Sequence, residues 1–181
     1  PDDIELAISP HATSKLSEFD DLQDVLTMGF RGEALASIAE VADITILSQI
    51  KDADMGIELK KTAIQPSHEI TKRARAQGTT ITVAHLFKHI PVRFRFLKTP
   101  ATECGYITKC IQNFCLHHPQ IAFVLTNNGT DLLSSSGKGD LKVLFGSMLK
   151  VGSDQVLSFN KSTGDITVSG VMTTPNKLYK N

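Results

Sequence analysis

The chain has no apolar stretch of the roughly 18 residues that a membrane-spanning helix requires, so no span is expected. Its first residues, Pro1-Asp2-Asp3-Ile4-Glu5, carry neither the basic segment nor the apolar segment of a secretory leader. They also lack an initiator methionine, which reads as a fragment of a longer protein. Three cysteines cannot all pair, and none lies in a C-x-x-C. That argues against a disulfide scaffold and fits a reducing compartment. Net charge is missing as well: 19 Lys and Arg balance 19 Asp and Glu. Nothing in this list prevents a packed core, because 41% of the residues are hydrophobic.

The zero net charge hides an asymmetry. Residues 1–33 hold 8 acidic and 2 basic side chains, whereas residues 60–98 hold 9 basic ones and a single acid, Glu69. A basic band with Phe87, Phe94 and Phe96 interleaved is compatible with phosphate or nucleic-acid contact. An ordinary solvated Lys/Arg-rich stretch beside buried aromatics reads equally well.

Apolar spacing predicts a short helix over residues 2–9, stopped by Pro10, a second over 17–26 and a third over 33–41. Alternation predicts strands over 43–50, 56–60 and 79–83, with residues 67–74 as strand and loop. Thr102 is a candidate cap for a helix reaching about His117, with Ile107, Ile111 and Phe114 on its buried stripe. Residues 121–126 read as a strand that turns at Asn127-Asn128-Gly129, where Asn-Gly tolerates the positive φ of a tight hairpin. Ser134 to Gly139 reads as a flexible junction. A helix over 141–149 and a hairpin pairing 155–160 with 165–172 follow. The mixture predicts an α/β fold, an α+β two-layer sandwich over residues 1–137, and the start of a second α/β domain over 138–181.

The most informative stretch is Gly29-Phe30-Arg31-Gly32-Glu33-Ala34-Leu35. Two glycines frame an arginine just before a helix start, where bare amides and the positive end of the helix dipole attract phosphate. Upstream stands His11-Ala12-Thr13-Ser14-Lys15, whose short hydroxyls and lysine can bond a nucleotide or its phosphates. Taken singly, each string is also an ordinary capping turn.

HATSK followed by MGFRGEALASIAEVA resembles the N-terminal ATPase region of the MutL family of DNA mismatch repair proteins. Gly78-Thr79-Thr80-Ile81-Thr82-Val83 is similar to that family's last nucleotide-binding strand. LFKHIPVRFRFLK, residues 86–98, is similar to the segment the family writes LFYNTPARRKFLK, with Lys88 and His89 in place of Tyr-Asn. The four strings fall in the family's order, and the match runs from Pro1 to about Cys115 and more loosely beyond.

The resemblance implies a GHKL or Bergerat-type ATPase fold lacking its N-terminal part. It implies ATP and Mg2+ as cofactors, with Thr13, Ser14, Lys15, Gly29, Phe30, Arg31, Gly32 and Thr79 at the nucleotide. It points to Arg93, Arg95 and Lys98 as DNA-facing. The implied activity is slow ATP hydrolysis that closes a lid and joins two N-terminal regions on DNA. The implied partners are a MutS-type mismatch recognition protein, DNA, and a second MutL-type subunit in a homodimer or heterodimer. The implied location is intracellular, nuclear in a eukaryote and cytoplasmic in a bacterium. The family's E-x-x-x-N and D-x-G-x-G motifs, which supply the general base, the magnesium-holding Asn and the adenine-reading Asp, have no counterpart before His11. No catalytic and no metal-binding residue is therefore assigned, and the chain alone is expected not to hydrolyse ATP. Two other readings stand beside this one: a type II topoisomerase-like ATPase subunit, and a DNA or protein interaction module without catalysis.

Two decoys are set aside on chemistry. Gly137-Lys138 is not a P-loop, because Gly129 lies eight positions before Gly137 rather than the required five and no Ser or Thr follows the lysine. Cys104, Cys110 and Cys115, at spacings of six and five on one helix, do not converge on a tetrahedral zinc site with His117 and His118.

Overall fold

In Asp43–Gln49 every second residue is apolar at first, and that alternation builds the central strand of the first of two units. A computed structural model of the chain describes residues 2–12, 29 and 31–175. It divides into residues 1–97 and 98–181. The helix expected over residues 17–26 lies outside the described residues.

The first unit contains α1 (Asp2–Leu6), α2 (Ala34–Val41), β1 (Asp43–Gln49), β2 (Gly56–Lys61), β3 (His68–Arg73), β4 (Gly78–Ala84) and α3 (Pro91–Phe96). The sheet is antiparallel throughout, in the order β3-β2-β1-β4. The register sets Ile46 between Leu59 and Ile81, and Ser48 between Ile57 and Thr79. One face therefore gathers Ile44, Ile46, Leu59 and Ile70, and these pack with Ile4 and Ile8 of the first segment and with Leu35, Ile38 and Ala39 of α2. Ile44 and Leu59 are fully buried. Helix α1 ends by tightening: the amides of Ile8 and Ser9 bond three residues back, and Ser9 Oγ donates to the Glu5 carbonyl. At the far end of α2, Phe87 N–H donates to the Val41 carbonyl and Lys61 Nζ to the Ala39 carbonyl at 3.4 Å, so a cation sits by the negative helix end.

The other sheet face is polar. Glu58 is buried there beneath Lys60 Nζ at 2.9 Å and Arg73 Nη1 at 2.5 Å. The lysine bond, then the arginine, hold its carboxyl below the usual glutamate value in spite of burial.

The second unit contains α4 (Pro100–His117), β5 (Val124–Asn127), β6 (Thr130–Ser134), α5 (Leu141–Leu149), β7 (Val156–Thr163) and β8 (Ile166–Thr173). Thr99, not Thr102, caps α4: its hydroxyl accepts the Thr102 N–H at 3.3 Å, and Pro100 takes the first helical position that its fixed φ favours. The buried stripe also differs from expectation. Cys115 is fully buried, while Ile107 is 52% exposed. The covered line runs Cys104, Thr108, Ile111, Cys115, at steps of four, three and four. The β5–β6 turn has Asn128 at φ 49° and Gly129 at φ 78°, the conformation that Asn-Gly favours.

Asp140 Oδ1 accepts the Val143 N–H at 3.0 Å at the start of α5. The stretch read as a flexible junction lies inside this unit. Gly139 N–H donates to the Pro119 carbonyl at 2.9 Å, and Ser135 Oγ accepts the Phe123 N–H at 2.9 Å. Gly137, at φ 67°, stands so close to Ala122 that a Cβ there would meet its nitrogen at 2.6 Å. The boundary read from sequence at 137/138 thus falls within the second unit.

Candidate functional site

Of the eight residues expected at a nucleotide, Thr13, Ser14, Lys15 and Phe30 lie outside the described residues. Gly29, Arg31 and Gly32 lead into α2, with Gly32 at φ 67° making the bend. Glu33 stands at the cap position of α2, yet its side chain makes no bond to the helix amides. It turns to His11, whose Nδ1 lies 3.1 Å from Glu33 Oε1. The described end of the His11–Lys15 string and the described end of the glycine-framed string therefore meet at the start of α2. The first-turn amides of that helix keep the anion-attracting character that a carboxylate cap would have cancelled.

Thr79 lies on the sheet face that carries α1 and α2. Its hydroxyl is 2.7 Å from Ser48 Oγ, and either can donate. Ile81 and Val83 continue the same line along β4, 45% and 44% exposed. A hydroxyl pair at the head of a partly uncovered apolar line offers both a hydrogen-bonding and a stacking surface to a flat, polar-edged ring. Ser48 was not legible as a site residue, because only the long-range β1–β4 register brings it to Thr79.

The basic band is not one surface. Alternation sends Lys60 and Lys61 to opposite faces of β2, and Lys72 and Arg73 to opposite faces of β3. Lys60 and Arg73 are engaged by Glu58, Lys61 by the Ala39 carbonyl, and Arg75 by the Leu47 carbonyl. Arg93 and Arg95 sit on α3, exposed, beside exposed Val92, Phe94 and Phe96. The Arg93 guanidinium lies 5.9 Å from the Phe87 ring centroid, a cation–π distance. Lys98, in the second unit, has its backbone N–H held by Glu103 Oε1 at 2.8 Å.

Asp43 was also not legible as a junction. Its Oδ1 accepts the Ala63 N–H at 3.0 Å and its Oδ2 lies 2.7 Å from His85 Nδ1. The His85 bond first, then the Ala63 amide, hold this carboxyl below its usual value.

Among the described residues no three His, Cys, Asp or Glu side chains cluster as metal ligands. Cys104 is half-buried, Cys110 exposed and Cys115 buried, so they do not share one environment. At Gly137-Lys138, the Asp140 carboxylate already occupies the amide end of α5, which disfavours phosphate there.

No family model matches the chain. It is 39% identical over 176 residues to the DNA mismatch repair protein MutL of Ligilactobacillus salivarius, covering 96% of this chain and 26% of that protein. It is 44% identical over 136 residues to the MutL of Coxiella burnetii, covering 74% and 23%. The chain thus spans about a quarter of the length of these curated relatives. Among solved structures, the Aquifex aeolicus MutL ATPase domain complexed with ADP is similar at TM-score 0.65 and 23% identity, over 80% of this chain and 56% of that one. Another structure of the ATPase domain from the Aquifex aeolicus mismatch repair endonuclease MutL is similar at TM-score 0.68 and 20% identity, over 91% and 60%. These likenesses show the fold, the mixed α/β one that this chain shares with those domains.

Proposed function

Since this chain belongs to the MutL family of DNA mismatch repair proteins, we propose that the whole protein binds ATP with magnesium and hydrolyses it slowly to drive a conformational cycle in mismatch repair. Residues 29–33 form part of a lid over the triphosphate, with the amides of α2 and the Arg31 cation drawing its charge. Thr13, Ser14 and Lys15 complete the phosphate side. Thr79, with Ser48, serves the base side. A lid ordered by γ-phosphate contacts acts as a two-state switch, and its closure brings two N-terminal regions together on DNA. Arg93, Arg95 and Lys98 face that DNA, and a MutS-type protein supplies the mismatch signal. The reaction is attack of water on the γ-phosphate, helped mainly by positioning and charge stabilisation. Among the described residues no three His, Cys, Asp or Glu side chains cluster to hold the magnesium. Three free cysteines suit an intracellular, reducing setting.

The observation that supports this reading is the meeting of His11 with Glu33, the described ends of the two phosphate-suited strings, at one helix start. It is tested by titrating a fluorescent ATP analogue into the full-length protein and its Gly32→Ala variant. A Cβ on this positive-φ residue strains the bend. Binding is expected to weaken about tenfold, equivalent to about 1.4 kcal/mol. Unchanged affinity would contradict a phosphate role for the loop.

A further inference from the structure

We propose that Arg75 is a positioning residue for the base side of the nucleotide site, holding the first residues of β4 so that the Thr79 hydroxyl is presented in one orientation. The inference rests on the nucleotide reading above.

Arg75 lies in the connection of residues 74–77, where the chain leaves β3 at one edge of the sheet and reaches β4 at the other. Its side chain crosses the sheet end on the polar face. The aliphatic arm covers Gly56 of β2, where an added Cβ would stand 2.9 Å from Arg75 Cγ. The guanidinium donates through Nη1 to the Leu47 carbonyl of β1 and to Thr80 Oγ1 of β4 at 3.3 Å, and through Nε to the Ala76 carbonyl at 2.8 Å. One side chain thereby touches three strands.

The residues it holds are the neighbours of the hydroxyl pair. Leu47 adjoins Ser48, and Thr80 adjoins Thr79; Leu47 is opposite Thr80 and Ser48 opposite Thr79 in register. Arg75 grips this rung from one face while Ser48 and Thr79 meet at 2.7 Å on the other. The grip matters because β4 begins at Gly78, whose φ of 130° is one that residues with a side chain rarely adopt, so no side chain at that position packs to fix the strand start. Among the described residues β4 has β1 as its single strand neighbour. The planar fork of arginine reaches several acceptors at once in fixed directions, whereas the three donors of a lysine radiate from one nitrogen and lack that fork.

If Arg75 sets the hydroxyl that reads the base, its loss changes which base is preferred. A residue that only supports the fold would lower affinity for all nucleotides by one factor. The experiment measures ADP and GDP affinities by calorimetry for the full-length protein and its Arg75→Met, Arg75→Lys and Thr79→Val variants. The ADP-to-GDP affinity ratio is expected to fall about fivefold in Arg75→Met, the worth of one well-placed hydrogen bond. It should recover part of the way in Arg75→Lys and fall in Thr79→Val. A fall in Thr79→Val with an unchanged ratio in Arg75→Met overturns the positioning role and leaves the nucleotide site standing. An unchanged ratio in Thr79→Val overturns both. Should Arg75→Met fail to fold, Arg75→Lys decides alone, and a wild-type ratio there overturns the inference.

Discussion

Asp43 Oδ2 and His85 Nδ1 lie 2.7 Å apart, joining the first residue of β1 to the residue that follows β4. The other carboxylate oxygen holds the Ala63 amide, so a single side chain fastens three segments at one end of the sheet. Asp43 and Glu58 both have carboxyls lowered from their ordinary values of 3.8 and 4.5. A carboxyl lowered in the folded state stabilises the fold above its unfolded value, and that contribution is lost as pH falls toward the folded one. The thermal midpoint is expected to drop as pH falls below about 4.5, and less steeply in Asp43→Asn and Glu58→Gln. Circular dichroism melts between pH 6 and pH 3 check this, and a variant with the full wild-type slope would show that its carboxyl contributes nothing.

Leu59 is fully buried against Ile44, Ile46, Ile8 and Ala39. Leu59→Ala is expected to destabilise the first unit by about 2–5 kcal/mol, the range for cavities that collapse only in part. Urea denaturation measures it, and a loss below about 1 kcal/mol would mean that this face of the sheet repacks.

Arg31→Ala in the full-length protein is expected to weaken nucleotide-dependent self-association. Light scattering with a non-hydrolysable ATP analogue reads this directly. Equal association of variant and wild type would remove Arg31 from the proposed lid.

The 181-residue chain by itself is expected to show no ATP turnover, because the family's base and magnesium-holding motifs have no counterpart in its sequence. Steady-state phosphate release well above a protein-free control would contradict this.

Local pattern made much of the fold legible. Alternation located β1, β2 and β4, and periodicity located α2 and α5, because neighbours in sequence decide those elements. The misreadings share a cause. Thr102 was assigned the cap that Thr99 makes because both can accept a bond, and Pro100 decides between them. The α4 stripe was drawn through Ile107 on hydrophobicity, yet the helix face that is covered depends on β5, β6 and α5. Ser48, Arg75 and Asp43 are not legible locally because these partners lie 20 to 42 residues away in sequence. The proposed nucleotide loops are legible only through their motif strings, and the contact of His11 with Glu33 adds a spatial reason.

The parting of Lys60 from Lys61 bears on how mutants of this region are read. A paired charge reversal, Lys60→Glu with Lys61→Glu, strikes the Glu58 ion cluster on one side of the sheet and the end of α2 on the other. A lost phenotype in such a double mutant blends two unrelated injuries. Only the separate single substitutions report on either surface.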